Sequence, residues 1–172
     1  MLGSAYDALP AQVQALHDTS WQHRWSGTAQ VRRGTGLMSR LVAAVIGFPK
    51  AGADVPVTVT FTPDQGVERW TRDFDGRRFT SWQRRGAERN EALLVERFGV
   101  IEVALTLVVE GDRLRLVPRR WCFLGVPLPK TLLPRGNTFE TEVDGRFVFN
   151  VEIGAPGVGL IVAYRGSLQP AG

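Results

Sequence analysis

The chain has 172 residues, of which 44% are hydrophobic and 22% charged, with a formal net charge of +4. This composition suits one domain with a substantial core, and it excludes a disordered tail, a coiled coil and a disulfide-stabilised miniprotein. A single cysteine cannot form an internal disulfide, and two histidines, both before residue 24, leave few routes to a metal site. We therefore expect one β-barrel domain over residues 1–172, with no cofactor and no metal.

Neither a targeting segment nor a nucleic-acid motif is visible. The first 16 residues lack a basic segment followed by an apolar one, and the longest nearly uncharged stretch, residues 41–49, is far short of the about 20 residues that span a bilayer. Arginine supplies 19 of the 21 basic residues, but the arginines are scattered in pairs among acidic residues. We expect a cytoplasmic protein with no transmembrane segment and no nucleic-acid partner.

The N-terminal third predicts a short helix, a strand and a second helix. Apolar residues at helical spacing between residues 6 and 16 predict an opening helix that includes Pro10 in its first turn, and residues 25–32 have the pattern of a strand. After the glycines at 34 and 36, the apolar residues 37–46 predict a second helix, which Gly47 and Pro49 end.

From residue 55 onward the apolar residues alternate with a period of two, which is typical of strands. Further strands are predicted at 55–62, 67–74, 77–85, 92–98, 101–110, 113–123, 138–143, 146–153 and 159–168. Three residue pairs predict two-residue hairpins, namely Asp75-Gly76, Gly111-Asp112 and Asp144-Gly145. A helix between the first strand and a long meander is the element order of small lipid-binding barrels. We predict an all-β fold with two short N-terminal helices and an antiparallel, lipocalin/fatty-acid-binding-like barrel of about ten strands.

The register of the Asp75-Gly76 hairpin assigns one aromatic face to the barrel interior. The residues on that face are Trp70, Arg72, Phe74, Phe79 and Ser81. An interior arginine is costly unless it meets a carboxylate, a stacked ring or an anionic ligand.

The Asp144-Gly145 hairpin places two carboxylates on a second interior face. Its register puts Glu142 opposite Phe147, and Glu140 opposite Phe149. Glu140 is the first candidate partner for the interior arginine and Glu96 is the second. The pattern leaves two interpretations open, a structural ion pair with no ligand and a polar site that faces a ligand.

Motifs spread over nearly the whole chain carry a family resemblance. They are Leu9-Pro10, Gly27-x-Ala29-x-Val31-x-Arg33-Gly34, Gly47-Phe48-Pro49-x-Ala51-Gly52-x-Asp54-Val55-Pro56-Val57, Trp70-x-Arg72-x-Phe74, Phe79-x-Ser81, Glu96-Arg97-x-Gly99, Trp121, Gly125-Val126-Pro127-Leu128-Pro129, Pro134, Glu140, Asp144-Gly145-x-Phe147-x-Phe149, Pro156, Gly159-Leu160 and Tyr164-Arg165-Gly166. The chain resembles a bacterial domain of unknown function that occurs alone or fused to saccharopine-dehydrogenase-like proteins. The resemblance implies no activity, and it implies such a reductase as a possible partner.

Other chemistry finds little support in the sequence. His17 and His23 match no zinc spacing, and we interpret His17 as a packed or capping residue of the first helix. Cys122 is expected to be a buried hydrophobe, since no histidine follows residue 23 to activate it.

The second helix is expected either to cap the barrel or to act as a lid that touches a membrane or admits a lipid.

The leading functional hypothesis is a barrel that binds a lipid or a small amphipathic carboxylic acid. Arg72 would hold the head group with help from Ser81, and Glu140 would pair with Arg72 in the empty barrel. The residues expected to supply apolar contact are Trp70, Phe74, Phe79, Phe147 and Phe149. Two alternatives stay open: a proton-transfer enzyme of isomerase or cyclase type that uses Glu140 or Glu142 as base, and a module that docks on a reductase.

Overall fold

Ten strands close into one antiparallel barrel in the part of the chain that the computed structural model describes, residues 2–18 and 20–171. The strands are β1 (His23–Arg33), β2 (Gly52–Asp64), β3 (Val67–Phe74), β4 (Arg77–Arg85), β5 (Leu94–Phe98), β6 (Ile101–Glu110), β7 (Arg113–Phe123), β8 (Val126–Pro127), β9 (Phe139–Val143), β10 (Arg146–Ala155) and β11 (Gly159–Ala171). Around the ring they run β1 to β7, then β9, β10 and β11, and β11 pairs with β1. The two-residue β8 pairs only with the end of β7. The predicted all-β barrel is confirmed, while positions 1, 19 and 172 of the expected domain lie outside the described residues.

The predicted helices are present, and one of them has a different start. Helix α2 (Leu37–Ile46) has the predicted bounds, and Gly47 ends it in the left-handed conformation with a φ of 84°. Helix α1 (Ala11–Leu16) begins after Pro10, and a separate 3-10 turn covers Gly3–Ala5. The prediction that the helix includes Pro10 was wrong, because Pro10 has an extended ψ of 149° and precedes the first helical residue. Within the described residues, no helix is long and apolar enough to cross a membrane.

The hairpins and their registers agree with the sequence. Asp75 and Gly76 both have positive φ, 51° and 79°, and so do Asp144 and Gly145, 51° and 71°. These angles are those of the type I′ turn that matches the twist of two paired strands. The predicted pairs form as expected, with Arg72 opposite Phe79 and Glu140 opposite Phe149.

The barrel has two different ends. Because consecutive strands are antiparallel, α2 lies at the same end as the connections after β3, β5, β7 and β10. We call this the α2 end and the opposite one the α1 end. At the α1 end, helix α1 contacts β9 and β10 and buries Val13 and Leu16 in the core. The connection after β4, residues 86–93, instead folds against the outer wall, where Arg120 donates a hydrogen bond to Asn90.

Two glycines allow β1 and β11 to approach each other closely. A Cβ atom on Gly166 would lie 2.1 Å from the Thr28 carbonyl oxygen, and one on Gly27 would lie 1.9 Å from the Ser167 carbonyl oxygen. No side chain fits at these positions without backbone movement. The pair explains in physical terms why both residues occur in the motifs of the sequence.

Candidate functional site

A cavity of about 410 Å³ occupies the barrel interior. It extends from Leu16 at the α1 end to Phe123 and Arg135 at the α2 end, and apolar and aromatic side chains form most of its wall. A volume of this size falls within the range of about 300–1,000 Å³ that is typical of small-molecule sites.

The cavity reaches the surface where the wall of the barrel is interrupted. Strand β7 pairs with β9 only at Leu114 and Arg115. The remainder of β7, toward the α2 end, faces the irregular segment 134–138, and the two do not form a strand ladder. Both sides of this gap line the cavity, with Pro118 on β7 and the exposed Arg135 and Gly136 on the segment. The opening therefore lies between β7 and residues 134–138, near the α2 end.

The structure brings together most of the residues that the sequence selected. The predicted residues that line the cavity are Trp70, Arg72, Phe74, Glu140, Phe147 and Phe149. Phe79 is buried behind the wall, with its ring 5.9 Å from that of Phe74, and Ser81 is fully buried behind Arg72.

Arg72 is the centre of a buried polar cluster. Its Nη1 donates to Ser81 Oγ at 2.8 Å, and its Nη2 donates to Glu96 Oε1 at 3.2 Å. The same carboxylate oxygen accepts from Ser81 Oγ at 2.7 Å and from Gln83 Nε2 at 3.1 Å. The guanidinium carbon lies 4.8 Å from the ring centre of Trp70 and 5.4 Å from that of Phe79. The arginine is therefore held by a carboxylate, a hydroxyl and two aromatic faces.

The prediction that Glu140 is the partner of Arg72 was wrong, and the second candidate, Glu96, takes that place. The ring order gives the reason, because β3 and β9 stand on opposite walls, whereas β5 is two strands from β3. In the register, Glu96 lies opposite Gln83, two residues along β4 from Ser81. Hairpin registers alone could not reveal which strands close the ring.

Glu140 instead pairs with His17, and the distance between Glu140 Oε2 and His17 Nε2 is 2.5 Å. Burial lowers the pKa of His17, but the charge and hydrogen bond of Glu140 and the charge of Glu68 outweigh it, so the pKa of His17 lies above its ordinary value of 6.5. The interpretation of His17 as a packed or capping residue is confirmed, since it is the C-cap residue of α1, and the structure adds the pair with Glu140 that the sequence did not predict. Its ring also lies 5.6 Å from that of Trp70, which lines the cavity.

The second carboxylate of the predicted acid–base pair lies elsewhere. Glu142 accepts a hydrogen bond of 2.8 Å from the backbone nitrogen of Gln12, at the start of α1. Of the two, only Glu140 belongs to the cavity wall. The carboxylate of Glu142 thus ties α1 to the barrel.

Tyr164 is a buried polar residue to which the sequence reasoning assigned no role in binding. It lines the cavity from β11, and its hydroxyl makes no hydrogen bond to any residue that the structure describes. Burial, the largest effect, raises the pKa of Tyr164 to about 12. The strand alternation in β11, where Val162 and Leu168 are buried on the same face, was the signal that could have placed Tyr164 inside.

Comparison with protein families shows to which family the chain belongs. The model of a domain of unknown function, DUF4166, matches residues 9–168. The chain belongs to this family. The predicted resemblance is thereby confirmed, while the expected link to a saccharopine-dehydrogenase-like reductase stays a prediction. Neither the curated proteins nor the solved structures contain a match to the chain.

Within this DUF4166 domain, the motif residues have identifiable structural tasks. Arg33 Nη1 donates to the carbonyl oxygens of Phe48 and Pro49 at 3.0 and 2.7 Å, which fixes the chain after α2. Trp121 Nε1 donates to the Pro129 carbonyl oxygen at 3.2 Å and so holds the segment beside the opening. These two motif residues therefore hold in place segments near the cavity.

Proposed function

We propose that this DUF4166 domain binds an amphipathic small molecule inside the barrel, with its apolar part among the aromatic side chains and its polar end at the Arg72 cluster. The observation that carries the proposal is the cavity of about 410 Å³, whose mostly apolar wall contains the Arg72 cluster, Glu140 and the Tyr164 hydroxyl. An apolar cavity with a few convergent polar groups is the usual form of a small-molecule site.

The electrostatics of the cluster favour a polar end that is uncharged when bound. The charge of Arg72 is offset by Glu96, and that of His17 by Glu140. An anion at Arg72 would have to displace Glu96, which would leave a buried carboxylate unpaired at a cost of about 3 kcal/mol or more. Oε2 of Glu96 and Oε1 of Glu140 accept no hydrogen bond from the described residues, so they support a ligand that donates one.

The ligand class proposed is therefore a long-chain alcohol or a protonated acid. A free carboxylate, the head group expected from the sequence, would compete with Glu96 at the same guanidinium.

The first test is native mass spectrometry of the purified protein, followed by organic extraction of bound material. We expect a discrete additional mass in the range of lipids or small acids. Val151, which lines the cavity, can be changed to Trp to fill it, and Val148→Trp on the outward face of the same strand is the matched control. The bound mass should disappear only from the Val151→Trp protein, and its persistence in that variant would place the ligand outside the barrel.

The head group is tested by displacement of the neutral fluorescent probe N-phenyl-1-naphthylamine. At pH 8, a long-chain alcohol should displace the probe at a concentration at least about tenfold lower than the carboxylate of equal chain length, which corresponds to about 1.4 kcal/mol. Tighter binding of the carboxylate at pH 8 would show that Arg72 is free to hold an anion, and it would overturn the preference for a neutral group.

A further inference from the structure

The apolar residues that the barrel exposes are concentrated at the α2 end. In the described part of the chain, nine of the eleven large apolar side chains with high exposure lie there, and the other two are Trp21 and Val143. The nine are Leu37, Met38, Leu41, Val45, Val100, Phe123, Leu124, Val126 and Leu132. We call these nine residues the apolar rim.

Helix α2 packs Ser39, Ala43, Val42 and Ile46 toward the barrel and leaves four other large apolar side chains exposed, Leu37, Met38, Leu41 and Val45. Ser39 and Ala43 are buried, and Ser39 Oγ donates to the Leu160 carbonyl oxygen at 2.6 Å. On the outer side, Leu37 is 80% exposed and Val45 is 74% exposed. A helix whose only task is to close a core carries polar side chains on its outer side, whereas α2 is apolar on its outer side as well as on the side that packs.

The charges of the connecting segments differ between the two ends. At the α2 end, the described connections carry four basic side chains, Arg40, Lys50, Lys130 and Arg135, and one acidic side chain, Asp75. At the α1 end, the described residues before β1 and in the connections after β2, β6 and β9 carry four acidic side chains and no lysine or arginine. These are Asp7, Asp18, Asp112 and Asp144. The connections that surround the apolar rim are therefore basic, whereas those counted at the α1 end are acidic. The strand ends at the α1 end also carry arginines, among them Arg84, Arg85 and Arg146.

We propose that the α2 end docks on the surface of a membrane that contains anionic lipids. Side chains of the apolar rim would enter the boundary between head groups and acyl chains, as the apolar face of an interfacial helix does. The four basic side chains would lie at the level of the head groups, where each Lys or Arg contributes about 1 kcal/mol, or about fivefold in affinity. The exposed apolar side chains and the basic connections lie at the same end, and together they set the orientation.

The position of the opening agrees with this orientation. Phe123 of the apolar rim and the basic Arg135 both line the cavity at the gap beside β7. A docked barrel would thus present its opening to the lipid. The docking proposal rests on the rim and the charges, and it stands even if the cavity binds nothing.

The test is flotation of the full chain with phosphatidylcholine vesicles that contain either no anionic lipid or about 30% phosphatidylglycerol. We expect binding to the anionic vesicles that weakens as salt is added. Changing Arg40 and Lys50 to Gln should reduce the affinity about 25-fold. The matched control changes Arg69 and Arg113, two exposed arginines near the α1 end, to Gln and should keep at least half of the binding.

The apolar contribution is tested with a second pair of variants. Leu41→Ser combined with Leu124→Ser should reduce binding to anionic vesicles at least about tenfold, while Val143→Ser at the α1 end should not. Circular dichroism of each variant establishes that it is folded. Absence of vesicle binding by the unchanged chain, or equal losses in both pairs, would overturn the proposal. Concentration-dependent dimerisation that the Leu41 and Leu124 changes abolish would also overturn it, in favour of a second copy on the rim.

Discussion

Removal of the Glu96 carboxylate is the sharpest perturbation of the barrel interior that the structure offers. The side chains of Arg72 and Glu96 are only 12% and 8% exposed, and Oε1 of Glu96 accepts three hydrogen bonds. Glu96→Ala would leave the arginine buried without a counter-charge, which costs about 3–5 kcal/mol. For a chain of this length, that loss corresponds to a decrease in Tm of about 6–20 °C.

The assay is equilibrium unfolding in urea at 25 °C, monitored by circular dichroism, with Glu110→Ala as control. Glu110 and Arg115 are about as close to each other, at 3.1 Å, but their side chains are 52% and 39% exposed, so this pair should contribute less than about 1 kcal/mol. The double change of Arg72 to Met and Glu96 to Leu should recover most of the loss, because it removes both charges. A Glu96→Ala protein as stable as the Glu110→Ala control would refute the reasoning.

Three further predictions concern other buried positions. Because the pKa of His17 is raised, its pair with Glu140 stabilises the fold fully below pH 6.5, and the stabilisation is lost as the pH rises through the raised pKa. The free energy of unfolding in urea should therefore decline between pH 6 and 9 in the unchanged chain, and His17→Gln should remove this decline. Because burial raises the pKa of Tyr164 to about 12, the Tyr164→Phe protein should release one tyrosinate fewer than the unchanged chain when urea unfolds it at pH 11, as measured at 295 nm. Gly166→Ser should destabilise the barrel by about 1–3 kcal/mol in urea unfolding. Gly36→Ser at the N-terminus of α2, where a Cβ would come no closer than 3.9 Å to the Val158 carbonyl oxygen, should be neutral or slightly stabilising. Equal effects of the two serines would contradict the close approach of β1 and β11.

The part of this fold that sequence predicts well is the part that local rules determine. Asp-Gly pairs select a two-residue turn, the turn sets the register, and the register decides which side chains share a face. That chain of inference placed Arg72 and Phe79 inside together, and the structure agrees.

The partners across the barrel depended on information that local rules do not contain. Glu96 and Glu140 are both interior carboxylates, and only the order of strands around the ring decides which of them reaches Arg72. Likewise, the position of His17 depends on how α1 packs on its end of the barrel, and the hairpin registers do not predict where a helix packs.

The orientation of α2 was equally beyond a pattern argument. Its sequence is apolar on most sides, so hydrophobic periodicity does not say which face packs. Small side chains decide the matter, because Ser39 and Ala43 let the helix lie close to β11 while Leu37 and Leu41 do not.

The energetics of the cavity connect ligand binding with stability. Unfilled volume in a closed protein core costs stability in proportion to its size. The cavity of about 410 Å³ opens to the surface, and the apolar side chains of its wall lack packing partners on the cavity side. Water can be held at the Arg72 cluster, but the rings of Phe74, Phe147 and Phe149 offer it no hydrogen-bond partner. A molecule that covers those rings therefore adds the contacts that the core lacks, and its binding and the stability of the barrel should rise together.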